Sequence, residues 1–195
     1  MVGIVLLAVV SGVGVGLVRG GSLRGLGQVR LRDSWLVLAA VAIRLLAPRL
    51  TALTVMATGW EQWIYPVADA VLVVFMILNV RLAGAWLAAI GLGANVLVRW
   101  LNGGKMPVAR DLAARLGFTG EAGELARRGD WLHAEFIDAH TRVPFLGDII
   151  YLGHPYPWPG VLSVGDLLLG LGVVMFVQGA MVASRKGSSP LVEDG

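Results

Sequence analysis

The sequence contains no cysteine and few charged residues. Of its 195 residues, 15% are Asp, Glu, Lys or Arg, whereas about one quarter is usual in soluble domains. The lack of cysteine excludes disulfide scaffolds, thiol nucleophiles, iron–sulfur clusters and cysteine-based zinc sites. The same composition excludes an intrinsically disordered chain, because such chains combine low hydrophobicity with high net charge.

Apolar side chains take the place of the missing charges. Hydrophobic residues make up 56% of the chain and the mean hydropathy is +0.74. A soluble domain of 20.6 kDa has too little interior to bury so much apolar surface. We therefore expect an all-α membrane protein, a polytopic bundle of transmembrane helices that contacts the lipid bilayer. The basic residues form no face with interleaved aromatics, so nucleic-acid binding is not expected.

Five apolar segments predict membrane spans at about 2–18, 34–57, 67–80, 82–101 and 161–183. Pro48 leaves open whether residues 48–57 belong to the second span. The polar segment 102–160 predicts a partly helical extracytoplasmic cap on a single membrane domain, with short helices at 112–116 and 123–137.

The basic residues predict the orientation of the chain. They cluster between the first and second spans, between the third and fourth, and after the fifth, at Arg19, Arg24, Arg30, Arg32, Arg81, Arg185 and Lys186. Cytoplasmic loops carry an excess of Lys and Arg. We therefore expect a bacterial inner-membrane protein whose N-terminus is outside and whose C-terminus is cytoplasmic.

Two local patterns have ordinary structural interpretations. Gly12, Gly14 and Gly16 lack the spacing of a dinucleotide-binding loop and predict close helix packing. A second cluster comprises His133, Glu135, Asp138 and His140, whose spacing does not fit a metal site and is more typical of a solvated helix. No metal and no other cofactor is expected.

Ionisable residues inside apolar spans carry the most functional information, because each costs several kcal/mol to bury in lipid. These residues are Arg44, Asp69, Arg99 and Asp166. Asp69 has an alternative interpretation as an acid that compensates the dipole of its helix. Arg99 is expected to pair with a carboxylate, preferably Asp148 or Asp166.

Asp148 and Asp166 are predicted to reach the same outer face of the membrane. Two carboxyl groups in a low-dielectric site do not both ionise, so one keeps its proton and the other becomes a base. Asp166, the deeper of the two, is expected to hold the proton. Such a pair can activate water and protonate a departing amine, which is amide hydrolysis without a metal.

Three motifs resemble those of an uncharacterised family of bacterial integral membrane proteins. They are an NGGxMPV motif at 102–108, an LGD motif at 146–148 and an SxGD motif at 163–166. This resemblance covers nearly the whole chain and assigns no function.

The C-terminal half also resembles, more distantly, the type II lipoprotein signal peptidases. The similar segments are 93–99, 143–150 and 162–166, with Val98 and Gly165 replacing an Asp and an Ala of that family. The chain has one predicted span more than the family and a long insertion after the first segment. The resemblance implies catalytic roles for Asp148 and Asp166, with Asn95, Arg99 and Ser163 in support. Asn102 is predicted as a further supporting residue, although its segment is similar to a motif of that family only in composition and lies in the wrong order. The resemblance also implies a membrane-anchored peptide or lipoprotein substrate. Residues 103–145 are expected to lie over the site as a lid that excludes water.

Two functions of other classes stay open. A non-catalytic membrane scaffold or complex subunit would use the aspartates to cap helices or to pair with Arg99. A small transporter would instead use the intramembrane residues Asp69 and Arg44.

Overall fold

The computed structural model describes residues 2–53, 61–116, 130–131, 133–153, 156 and 159–186. This part of the chain is mostly helical, as expected. Its α-helices are α1 (Val2–Val18), α2 (Arg24–Gly27), α3 (Trp35–Leu53), α4 (Ile64–Leu78), α5 (Ala85–Leu101), α6 (Arg110–Arg115) and α7 (Val164–Lys186). Short 3-10 turns lie at Glu61–Trp63 and Pro144–Leu146.

Short strands lie between α5 and α7. They are β1 (Met106–Val108), β2 (Asp130–Trp131), β3 (Ala134–Phe136), β4 (Ile150–Leu152) and β5 (Gly160–Leu162). The central strand β3 pairs in parallel with β1 and antiparallel with β2, and β4 pairs antiparallel with β5.

These strands correct one sequence prediction. The expected helix at 123–137 is wrong for residues 130–131 and 134–136, which form β2 and β3, and residues 123–129 lie outside the described part. One of the two partners of β3, the strand β1, lies almost thirty positions earlier, so the local sequence pattern does not indicate this pairing. The short helix predicted at 112–116 is present as α6.

The long helices pack side by side in the order α3, α4, α5, α7, α1. Leu92 and Ala88 of α5 and Leu169 of α7 form a buried apolar cluster between these two helices. A Cβ atom on Gly12 would lie 2.8 Å from Cβ of Val177, so α1 approaches α7 closely. Gly16 faces α7 in the same way and Gly14 does not, so close packing is confirmed at two of the three glycines.

The bundle has two ends of different composition. The arginine end comprises residues 19–34, residues 79–84 and the last turns of α7. The amide N–H of Ser22 donates to the carbonyl of Met181 at 3.0 Å, and the amide N–H of Arg32 donates to Oδ1 of Asn79 at 2.8 Å. The turn 79–84 needs a glycine at position 84, where φ is +77° and a Cβ atom would overlap the carbonyl oxygen of Gly172. The cap end comprises the described residues between 102 and 163.

One described helical segment, Val164–Ala183, is long and apolar enough to cross a membrane. Shorter apolar segments lie at Gly3–Val18, Trp35–Leu46, Ile64–Leu78 and Ala85–Leu101. Each predicted span therefore corresponds to an apolar helix. Residues 48–53 continue α3, whereas residues 54–57 lie outside the described part.

Candidate functional site

Asp166 and Ser163 begin helix α7 with reciprocal hydrogen bonds. The amide N–H of Asp166 donates to Oγ of Ser163 at 3.0 Å, and the amide of Ser163 lies 3.4 Å from Oδ2 of Asp166. This is the capping-box arrangement, with Asp in the position usually held by Glu or Gln. Both side chains are buried. The SxGD motif therefore has a local structural role as well as a candidate chemical one.

Asn95 of α5 joins this pair across the helix interface. Its Nδ2 donates to Oδ1 of Asp166 at 2.9 Å, and the Ser163 hydroxyl donates to its Oδ1 at 2.8 Å. Gly165 permits this contact, because a Cβ atom there would overlap Oδ1 of Asn95. Three of the predicted site residues thus lie in one buried network, which links α5 to α7.

Asp148 lies beside this network on the strand pair that precedes α7. Its amide donates to the carbonyl of Pro107 at 2.8 Å, and the next amide, that of Ile149, donates to Leu162 at 3.1 Å. The backbone of Asp148 is therefore fixed from both sides, two residues before the register pair Ile150 and Leu162. Since Leu162 immediately precedes Ser163, the two predicted aspartates are held on adjoining segments.

The carboxyl group of Asp148 differs from that of Asp166. Its Oδ1 is buried and has no hydrogen-bond partner among the described residues. Burial raises the pKa of Asp148 from 3.8 to about 7, and the nearby Asp166 carboxylate adds to this effect while Arg99 opposes it. The sequence favours Asp166 as the holder of the proton. In the structure the raised pKa belongs to Asp148, whose Oδ1 has no hydrogen-bond partner among the described residues, whereas Asp166 accepts two hydrogen bonds.

Arg99 belongs to a second polar cluster at the same end of the bundle. Asp69 is completely buried, and its Oδ1 accepts a hydrogen bond from the guanidinium of Arg44. Its Oδ2 lies 3.8 Å from Nε of Arg99, whose NH1 donates to the carbonyl of His133 at 2.9 Å. One carboxylate therefore joins helices α3, α4 and α5.

The expected carboxylate partner of Arg99 is present, but it is Asp69. The preference for Asp148 or Asp166 as that partner is therefore wrong. Side chains on a helix tilt towards its N-terminus. Helices α4 and α5 are antiparallel neighbours, so Asp69 and Arg99 tilt towards each other. A usable signal is present in the sequence: buried charges must be paired, and Arg44, Asp69 and Arg99 all lie in apolar segments.

Asn102 lies apart from both clusters and ends helix α5. Its Nδ2 donates to the carbonyls of Val98 at 2.8 Å and Arg142 at 2.9 Å, and its Oδ1 accepts from the amide of Arg142 at 2.8 Å. Its predicted support of the site is therefore indirect, through the attachment of the cap to α5. Gly104, with φ of +91°, completes this turn by donating to the carbonyl of Arg99 at 2.7 Å.

The cluster around His133 is a strand and turn, and not the solvated helix that its spacing predicts. Asp138 accepts hydrogen bonds from the amides of His140 at 2.8 Å and Thr141 at 3.0 Å. These bonds hold the pKa of Asp138 below its ordinary value, the bond from His140 having the larger effect. The ring of His133 packs on that of Tyr65, with centroids 4.6 Å apart. Within the described residues no three acidic or histidine side chains are arranged to hold a metal ion.

Comparison with known proteins identifies relatives without an assigned activity. An uncharacterised protein of Thermotoga maritima is 32% identical over 117 residues, which is 60% of this chain and 64% of that protein. No solved structure is similar to the chain. The model of a family of unknown function, DUF5317, matches residues 28–178. Because this match covers most of the sequence, the chain belongs to the DUF5317 family.

Proposed function

We propose that this protein is a membrane-embedded hydrolase in which Asp148 and Asp166 cleave an amide bond of a membrane-anchored peptide or lipoprotein. The observation that carries the proposal is the contrast between two neighbouring buried carboxyl groups. One has a free oxygen and a pKa raised to about 7, whereas the other is held by hydrogen bonds. Pairs of titratable groups with divergent environments are typical of acid–base catalysis.

The outward surfaces of the helices support the proposed location in a membrane. Large apolar side chains are exposed on every long helix, for example Val10, Leu38, Val67, Ile90 and Leu171. The buried positions between helices include the polar residues Asp69, Asn95 and Asp166. Soluble monomers rarely expose extended apolar patches, and polar groups in membrane proteins face the bundle interior. Five spans in a bacterial inner membrane account for both features.

The orientation follows from the arginine end. Residues 19–34 and 79–84 carry the excess of basic residues and lie together, which favours a cytoplasmic location for this end. The aspartates then face outward, with the C-terminus inside. Cysteine labelling of intact cells tests this on a cysteine-free chain: Gly120→Cys should react with an impermeant reagent and Gly187→Cys should not. The opposite pattern would reverse the orientation.

The chemistry requires one ionised and one protonated carboxyl group. Ionised Asp166 removes a proton from water as the water oxygen attacks the carbonyl carbon of the substrate. The tetrahedral intermediate then collapses, the C–N bond breaks, and Asp148 donates its proton to the departing nitrogen. Asn95 and Ser163 orient the carboxyl group of Asp166 through their hydrogen bonds. The strand β1, whose Pro107 carbonyl binds the Asp148 amide, is part of the proposed lid that excludes water.

The test uses the purified protein in detergent and a fluorogenic peptide anchored by an N-terminal acyl chain. Asp148→Asn and Asp166→Asn should each lower the cleavage rate by about 10²–10⁴-fold. Asp33→Asn, which removes an exposed carboxylate at the opposite end, is the matched control and should cleave like the wild type. The rate should also depend on a group with a pKa near 7. Equal cleavage by all four proteins would exclude the aspartate pair as the catalyst.

A non-catalytic scaffold is the second candidate. The capping bonds of Asp166 and the links from Asn95 favour it, because they satisfy these side chains within the chain itself. Under this function, both aspartate variants would retain partner binding in a pull-down from membranes. A transporter is supported only by the buried Asp69 and the partly buried Arg44, which neutralise each other in a close ion pair.

A further inference from the structure

A cavity of about 570 Å³ opens at the arginine end of the bundle, remote from the aspartates. It lies between the segment that follows α1, the turn between α4 and α5, and the last turns of α7. Its lining combines polar and apolar groups, among them Arg30, Arg81, Gln28, Leu82, Phe176 and Ala183.

The walls of this cavity are held in place by close backbone contacts. A Cβ atom on Gly25 would overlap the carbonyl oxygen of Ala180, so α2 lies directly on α7. On the opposite side, Nδ2 of Asn79 donates to the carbonyl of Arg32 at 2.9 Å, and the amide of Arg32 donates to Oδ1 of Asn79 at 2.8 Å. The cavity is therefore formed before any ligand arrives.

The described residues that line the cavity give it a positive charge. They include Arg30 and Arg81 and no Asp or Glu. Within the described residues, Arg30 and Arg81 form no ion pair and no side-chain hydrogen bond, whereas the neighbouring Arg32 pairs with Asp33 at 3.7 Å. Two free guanidinium groups at the rim of an apolar pocket suit an anion that is attached to an apolar body.

We propose that this cavity binds the phosphate group of an anionic amphiphile, with the guanidinium groups of Arg30 and Arg81 on the phosphate oxygens and the apolar chain along Leu82 and Phe176. Guanidinium groups bind phosphate through charge-assisted and often bidentate hydrogen bonds. Basic pockets between transmembrane helices on the cytoplasmic side suit lipid headgroups. This site lies at the opposite end of the bundle from the aspartates and goes beyond the proposed hydrolase.

The experiment uses the full-length protein in an uncharged detergent and measures retained lipid by native mass spectrometry. Phosphatidylglycerol is titrated against phosphatidylcholine, which carries a phosphate but no net charge. The wild type should retain one phosphatidylglycerol in preference, and Arg30→Gln or Arg81→Gln should weaken its retention by about tenfold or more. Arg24→Gln, an exposed arginine of the same segment outside the cavity, is the charge-matched control and should behave as the wild type.

Two further measurements test whether the phosphate group alone is recognised and whether the apolar part of the cavity is needed. Displacement of the lipid by millimolar inorganic phosphate would show that the phosphate group alone is recognised, and its failure would show that the attached chain is needed. Leu82→Trp, which fills the apolar part without changing the charge, should abolish preferential retention. Equal retention of the two lipids by the wild type would overturn the proposal. So would an equal loss in Arg24→Gln and Arg30→Gln.

Discussion

Two carboxylate clusters lie at the cap end of this bundle, and their electrostatics are opposite. In the first, Asp69 is completely buried and lies against Arg44 and Arg99. In the second, Asp148 has an unpartnered buried oxygen and a second carboxylate, Asp166, as its neighbour. The same side-chain type therefore forms ion pairs in one cluster and is an acid with a raised pKa in the other.

The difference shows why burial alone does not identify a reactive group. Asp69 is completely buried, yet its charge is balanced by two arginines and it links three helices. Asp148 lacks such balance, so a proton takes the place of a partner near neutral pH. Stability should therefore depend most on Asp69, and pH-dependent behaviour should depend most on Asp148.

The largest effect is expected for Asp69→Asn. This variant leaves the buried Arg99 and the partly buried Arg44 without their carboxylate, which should lower the free energy of unfolding by about 3–5 kcal/mol. Unfolding of the detergent-solubilised protein by a denaturing detergent measures it. Asp33→Asn is the control, because the Arg32–Asp33 pair is exposed, with side chains 74% and 43% accessible, and should contribute at most about 1 kcal/mol. Equal losses of unfolding free energy in the two variants would contradict the larger contribution expected of Asp69.

The next largest expected effect is a pH dependence of stability that arises from the titration of Asp148. Its pKa is about 7 in the folded state and 3.8 ordinarily, so the folded protein binds more protons than the unfolded chain between these values. Stability should therefore fall as the pH rises through this window and level off above it. Unfolding midpoints between about pH 4 and 9 measure this, and Asp148→Asn should remove that slope. A slope of the same size in the variant would assign it to another group.

A smaller loss is expected for Asn95→Ala. The variant removes the donor to Asp166 and the acceptor of the Ser163 hydroxyl, which leaves buried polar atoms without partners. The expected destabilisation is about 1–3 kcal/mol. Double-mutant cycles with Asp166→Asn should show coupling of these two side chains. Additive effects would mean that the hydrogen bond contributes nothing to the interface of α5 and α7.

The smallest effect is expected for Ser163→Ala, which removes the side-chain cap of α7. Loss of a serine cap costs about 1 kcal/mol. Ser163→Thr keeps the hydroxyl and should restore most of that stability. If Ser163→Ala instead lowers peptide cleavage as strongly as Asp166→Asn does, the hydroxyl has a chemical role beyond the cap.

The helices of this protein are predictable from its sequence and the strands are not. Each long helix has a continuous apolar pattern within its own stretch of sequence. The helices α1, α3, α4, α5 and α7 therefore lie where apolar segments predict them. The strands of the cap are two or three residues long, and the local pattern of β3 wrongly predicts a helix. The conformation of such short strands depends on pairing with segments elsewhere in the sequence, such as β1. A local sequence pattern carries no information about that pairing.

The candidate site shows the same division. The resemblance to the type II lipoprotein signal peptidases groups Asn95, Ser163 and Asp166, and in the structure these residues share one hydrogen-bond network. The role of Asp69 is underestimated, because an acid near a helix start has an ordinary explanation in the helix dipole. The pairing with Arg99 depends on which helices are neighbours and on how their side chains tilt.

The sequence by itself determined the composition of the molecule: an apolar, cysteine-free, helical chain with its excess of arginine at one end and a few ionisable residues inside apolar segments. The cost of burying charge is enough to make those residues the candidates for a functional site. Only the tertiary structure decided which of them compensate one another. Coulomb energies depend on distance and on the surrounding medium. Asp69 therefore forms an ion pair with Arg44, whereas Asp148 is an acid with a pKa of about 7, although both residues are simply aspartates in the sequence.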